Sequence, residues 1–532
     1  MRYGWGGRDN GASFFLAAFT MSIAFQDLPP ELSCAGATPP TAAAALPCSG
    51  RQAANSARAP APQPVRALYS ALHDRHDSAR AEGADWLRGQ IEAARELGDN
   101  LPADLADPQA MNDWIAQHTG EVGAAYSAYL AERKAGAPRR YFPTRSHALH
   151  FLKAVGPTKL VDGAWLYGIL AHWRDPRFLG LIRTYLEELG DGVPAKNHVA
   201  LFQKLLKTHS IDDTQGLDDS HFVQGAIQLA LAHNAEQFLP EIIGFNLGYE
   251  QLPLHLLICG YELNELGIDP MYFTLHVTID NADCGHARKA AQAIVELMPQ
   301  LGDRADFARR IRDGYRLNDL GASTLSVIDG FDLEGELTAI MISKSAYGQN
   351  MHSDFCRVGG RSINDWLSTP EQMPQMLAAL VKAGWIERGH PAEQSRFWRL
   401  IQGPNATMFG VFSDYEQQVL RDWIESAQVA PARMVSHRSQ LRALDQLAGE
   451  VGRPVAPRGI LRNGVNGVGN PPGDGDDAGG PASELHLLEQ RIADMPGRDE
   501  AMEALRALMA PHLHAKPVGL MATRLFGRLL AL

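Results

Sequence analysis

Cysteine is scarce in this chain of 532 residues. There are five, Cys34, Cys48, Cys259, Cys284 and Cys356, odd in number and widely spaced. No two form a CxxC pair, so neither a zinc knuckle nor a disulfide framework is signalled. That usage fits a reducing compartment, and a cytoplasmic location is expected. Positive charge is short as well: 49 Lys and Arg against 61 acids give a net charge of -12. A nucleic-acid partner normally demands a basic face, so none is expected. No Walker loop, Rossmann glycine fingerprint or G-x-S-x-G elbow stands in a plausible strand-to-helix setting. Long apolar runs are missing too, which excludes a membrane-spanning segment. Residues 12–25 follow Arg2 and Arg8 and mimic a secretory signal, but Asp9 interrupts the basic flank. No clear A-x-A site follows, and Met21 is an alternative start.

What is present is mostly helix-forming text. Hydrophobic content of 45% with 21% charge is globular, and the length predicts two or three domains. Residues 1–64, rich in Ala and Pro towards their end, read as a disordered, signal-like or mis-assigned lead-in. From Val65 to residue 304, apolar residues recur at three- and four-residue spacing, which predicts a helical domain. Helices are expected over 146–155, 160–173 and 176–189, the last ending at Gly190. Pro194, Pro240 and Pro270 suit helix starts, with Asp269 as a cap. Pro253 is expected to kink a continuous helix over 240–266. Residues 305–450 read as an accessory α+β unit, with β-prone runs STLSVID and ELTAIMI. A Gly/Pro-rich linker, 451–482, precedes a helical tail, 483–532. In that tail Leu485, Leu488, Ile492 and Met495 share one face.

The chemistry concentrates between residues 160 and 290, where acids and histidines interrupt apolar helices. Glu188 and His198 flank a Gly/Pro break. Glu250 lies in a stretch, 240–287, that holds no Lys or Arg to pair with it. His276, Asp280 and Asp283 stand at i, i+4 and i+7 and would share one helical stripe, with His286 a turn further on. Unpaired buried carboxylates cost several kcal/mol, so such a stripe needs a metal, a proton or a cation. Mixed carboxylate and imidazole ligands from helices suit iron or manganese, and the missing thiolates disfavour structural zinc.

This ordered set resembles the haem-oxygenase-like di-iron oxidases, the iron-containing redox enzymes. In that family a Glu is followed ten residues on by a His, as Glu188 is by His198. A second Glu ends a G-x-x-x-x-x-E stretch, matched by Glu250 in GFNLGYE. A third block has a His with an Asp four residues on, matched by His276 and Asp280. A further acid, from the helix before the first Glu, is matched by Asp162. The chain departs from the family where many members place a last His: Asp283 stands there, and His286 follows three residues later. Either of the two fills that seat. The resemblance covers about a third of the chain.

It implies a mainly α, haem-oxygenase-like helical bundle holding two Fe(II) ions, with O2 as co-substrate. The implied activity oxidises a small amino-acid-like or fatty-acid-like substrate by N-oxygenation, desaturation or C–C cleavage. Electrons would come from an external donor, because no flavin or ferredoxin motif is present. A homodimer is the assembly compatible with these partners. Each residue also has a plainer reading. Glu188 and Asp162 could be a surface acid and a helix cap, His198 a helix-start residue, and His276 with Asp280 a metal-free hydrogen-bonded pair. Taken together, the plain reading is a metal-free helical interaction protein that kept the fold. His147 with His150, His352 with Cys356, and the Asn405-Ala406-Thr407 sequon read as packing or surface features.

Overall fold

Helix follows helix from Val65 to Leu530 in the computed structural model, which describes residues 64–74, 77–211, 214, 216–279, 285–403, 406–426 and 481–531. The lead-in before residue 64, Asp280, Asp283, Asn405 and most of the proposed linker lie outside the described residues. The fold is mainly α. Its strands among the described residues are a two-residue antiparallel pair, Arg357–Val358 with Arg361–Ser362. The two β-prone runs are helical instead: Thr324–Asp329, capped by Ser323, and Leu333–Gly348, capped by Asp332. The caps satisfy N–H groups at the first turns, and packing overrides β propensity. No helix among the described residues is long and apolar enough to cross a membrane.

The breaks between helices position the site. The expected helix over 160–173 is a tighter 3-10 helix, Ala164–His172, entered through Gly163 at φ 79°. Leu179–Glu188 ends in three successive residues with positive φ, Gly190, Asp191 and Gly192. Pro194 does not open the next helix. Asn197 caps it, accepting from the Ala200 amide at 2.9 Å, and the helix runs His198–Thr208. Pro253 breaks its stretch outright rather than kinking it: one helix is Leu239–Tyr249, the next Leu254–Glu265, and Glu250 falls in the gap. Proline has no amide hydrogen and its ring blocks the preceding turn, which makes a full break the cheaper outcome here. His276 lies on Met271–Ile279, but His286 starts a separate helix, His286–Leu297. It is therefore not one more turn along the His276 stripe.

Two apolar clusters carry the packing. One gathers Trp165, Tyr185, Phe245, Ile311 and Phe526; the other gathers Phe142, Phe202, Tyr272, Trp366, Trp398 and Val419. Arg304–Arg316 presses against Leu239–Tyr249 with almost no side chain between them. A Cβ on Gly244 would lie 1.8 Å from the Ile311 carbonyl, and one on Gly314 2.1 Å from that of Glu241. Leu333–Gly348 and Asp414–Glu425 pack on Arg145–Lys159, where Lys153 donates to Glu336 at 3.1 Å and the Ser146 amide to Asp422 at 2.7 Å. The C-terminal helices Arg498–Leu508 and Pro517–Leu530 join the first cluster through Leu505, Met509 and Phe526.

Candidate metal centre

Six of the eight residues singled out as ligands lie among the described residues, and all six converge. Asp162, Glu188, His198 and His276 form one group whose ligand atoms lie within 4.8 Å of one another; Glu188, Glu250 and His286 form a second. Glu188 belongs to both. Burial is nearly complete: His276 is 7% exposed and the other five 3% or less. Asp280 and Asp283 lie outside the described residues.

Most of these side chains sit at helix ends. Glu188 is the last residue of its helix and Glu250 the C-cap of another, whereas His198 and His286 are first residues. A carboxylate at a helix C-terminus faces the negative end of the dipole, and an imidazolium at an N-terminus the positive end. Each placement costs about 0.3–1 kcal/mol. A cation among the acids removes the first penalty, and neutral imidazole ligands avoid the second.

The distances are those of a ligand set waiting for charge. His198 Nδ1 lies 2.6 Å from Glu188 Oε2 and 3.8 Å from Asp162 Oδ2. His276 Nε2 lies 3.4 Å from Asp162 Oδ2. His286 Nδ1 lies 2.9 Å from Glu250 Oε2 and 3.4 Å from Glu188 Oε1. His276 donates from Nδ1 to the Tyr272 carbonyl at 2.8 Å, which leaves the Nε2 lone pair facing Asp162. His286 reaches Glu187 from Nε2 at 2.8 Å and Glu250 from Nδ1 at 2.9 Å, so its ring is held at both nitrogens with Nδ1 on the side of Glu188 and Glu250. Fixing the tautomer through the other ring nitrogen is how proteins prepare histidine ligands. His276 Nε2 and both His198 nitrogens are buried without a hydrogen bond of proper geometry among the described residues. Orphaned imidazole nitrogens facing acids are costly as they stand and fit metal coordination.

Electrostatics agree. Burial alone would raise the acids and lower the histidine. Instead Lys159, His198 and His276 hold Asp162 well below the usual carboxylate range, and His198 pulls Glu188 down to about 2. Against its own burial, His198 is driven up to about 10 by Glu188 and Asp162. The acids thus demand a positive charge at this spot, and a proton on His198 supplies it when no ion does.

Several supporting residues carry no signal in the sequence. Tyr249 donates to Asp162 Oδ1 at 2.6 Å and Tyr272 donates to Oδ2; Lys159 donates to the Tyr249 hydroxyl at 2.8 Å. Trp165 donates to Asn246 at 2.9 Å, tying the Asp162 segment to the Glu250 helix. Glu187, indistinguishable from Glu188 in the sequence, turns outward to His286, Lys289 and Arg183. Its neighbours His286 and Lys289 outweigh burial and lower it to about 2. His352 and Cys356 join no such cluster among the described residues.

Comparison with known proteins agrees with this geometry. No curated protein and no solved structure matches the chain. Residues 149–319 match a family model described as iron-containing redox enzyme, and the six converging side chains all fall inside that match.

Proposed function

We propose that this protein is a non-haem di-iron oxidoreductase that uses O2 to oxidise a small organic substrate. The observation that carries the proposal is the sharing of Glu188 by two ligand groups, since one carboxylate serving two sets is the arrangement of a bridged ion pair. One ion would be held by Asp162, Glu188, His198 and His276, the other by Glu188, Glu250 and His286. Asp280 and Asp283 are further candidates from the adjoining segment. When bound, iron(II) supplies the electrons that reduce O2.

The protein's own part is to hold and to exclude. Tyr249 and Tyr272 orient both oxygens of Asp162, and Lys159 supports them with positive charge. Glu187 fixes the ring of His286. Buried Trp165, Phe202 and Phe245 wall the region against water. N-oxygenation, desaturation or C–C cleavage of an amino-acid-like or fatty-acid-like molecule fits such a site, with electrons returned by an external donor.

The rival reading is a metal-free interaction protein. It must balance three buried carboxylates with a proton on His198 and leave His276 Nε2 buried without a hydrogen bond of proper geometry among the described residues, which is net cost. Oxygen consumption separates the two. Protein loaded anaerobically with Fe(II) is expected to take up O2 on mixing, and His276→Ala and Glu250→Ala to do so no faster than free Fe(II). Wild-type protein with no uptake above that background rejects the oxidoreductase reading.

A further inference from the structure

The C-terminal helices lie outside the matched segment, about 200 residues beyond its end, yet they close over the bend that joins two ligands. The bend is Leu189–Asn197, between Glu188 and His198. Three contacts reach it or its helix. Arg524 donates from Nε to the Gly192 carbonyl at 2.9 Å. Tyr185, one turn before Glu188, donates to the Met509 carbonyl at 2.7 Å. Asn197, next to His198, donates from Nδ2 to the Leu189 carbonyl and to His514 Nδ1, each at 3.3 Å. Packing there is tight: a Cβ on Gly192 would lie 2.3 Å from the Leu520 carbonyl.

Asn197 is the hinge of this arrangement. Its Oδ1 caps the His198 helix while its Nδ2 spans the bend and meets the tail. His514 is wholly buried. Burial holds its ring neutral, and because Asn197 Oδ1 already accepts from the Ala200 amide, the Nδ2 donor is the atom that meets His514 Nδ1, which therefore accepts. The bend of three positive-φ residues carries bonds of its own, from the Gly192, Val193 and Asn197 amides and between Arg183 and Asp191, and the tail adds the His514 and Arg524 contacts at its two ends.

We infer that the C-terminal helices are a built-in clamp on the metal centre, with His514 and Arg524 as positioning residues that set Glu188 against His198. The inference rests on the metal reading above. It implies that ions held by the matched segment depend on residues far outside it. Removing a partner bonded directly to a metal ligand typically costs 10–100-fold in affinity, and contacts one residue further out are expected at the low end of that range.

Anaerobic Co(II) titration of the full-length protein, followed by the visible Co(II) bands, tests it without any turnover. Wild type is expected to take up two equivalents. His514→Phe, which keeps a ring but loses the acceptor, should weaken one equivalent ten-fold or more and shift its band. The other equivalent shares only Glu188 with it and should weaken less. His514→Asn, whose Oδ1 can replace the lost acceptor, should restore both affinity and spectrum. Arg524→Met keeps the stem of an exposed side chain and should weaken the same equivalent, which also covers the case of His514→Phe failing to fold. Wild-type affinity and bands in both His514→Phe and Arg524→Met overturn the clamp and leave the metal reading intact. Equal weakening of both equivalents with a lower melting temperature that His514→Asn does not restore marks general destabilisation and overturns it too. Wild type that binds no Co(II) overturns the clamp and the metal reading together.

Discussion

Glu188 ends one helix, His198 begins the next, and their side chains meet at 2.6 Å across a bend of left-handed residues. Ten residues separate them in sequence. The bend turns that separation into contact, and the same glutamate reaches His286 from its other oxygen at 3.4 Å. The centre is therefore sensitive to anything that moves Glu188.

Gly163 is the nearest such lever. It sits at φ 79°, and a Cβ there would lie 2.9 Å from Glu188 Cβ, close to the backbone where little can yield. Gly163→Ala is expected to cost about 1–2 kcal/mol of stability from the left-handed conformation. It should also push Glu188 off its place, weakening metal binding about ten-fold. Urea unfolding and Fe(II) titration check the two effects separately. Unchanged affinity in a folded variant contradicts the role given to Glu188.

His286 and Asp283 compete for the last seat in the ligand set. His286 is buried, with Nδ1 2.9 Å from Glu250. His286→Ala is therefore expected to lose more iron, by elemental analysis after anaerobic loading, than Asp283→Ala. The reverse order would give the seat to Asp283.

Away from the centre, Glu336 joins Leu333–Gly348 and Asp414–Glu425 to Arg145–Lys159. Burial alone would raise its carboxyl, but His150, Lys153 and a hydrogen bond from Tyr415 lower it to about 2. A depressed carboxylate contributes stability above its unfolded value of about 4.5, and this is lost as pH falls towards 2. The shift corresponds to about 3 kcal/mol at neutral pH. Glu336→Gln should unfold at lower urea than wild type at pH 7, and the gap should narrow steadily from pH 4.5 to pH 3. A gap that is constant over that range contradicts the pairing.

Asp162, Glu188 and His198 were legible through the ordered family resemblance, and the acids of 240–287 because burying an acid without a cation is expensive and a stretch without Lys or Arg that keeps its acids advertises that expense. Glu250 is the clearest case. Glu187 was not legible as a partner of His286: two adjacent glutamates at a helix end look alike until the bend fixes which one faces inward. Pro253 announced a disturbance, but kink or break depends on what Glu250 gains by leaving the helix. The run ELTAIMI reads as strand from its side chains alone, yet the Asp332 cap and packing on Arg145–Lys159 make it helix. The tail shows an amphipathic pattern, but nothing local in His514 points to Asn197, 317 residues earlier. Contacts at that separation are set by the whole fold.

Anaerobic Fe(II) titration of wild type beside Glu188→Gln and Glu250→Gln tests the shared carboxylate most directly. Wild type is expected to take two equivalents, Glu250→Gln about one, and Glu188→Gln to lose tight binding at both positions. A single equivalent in wild type, or two tight equivalents in Glu188→Gln, would contradict that sharing.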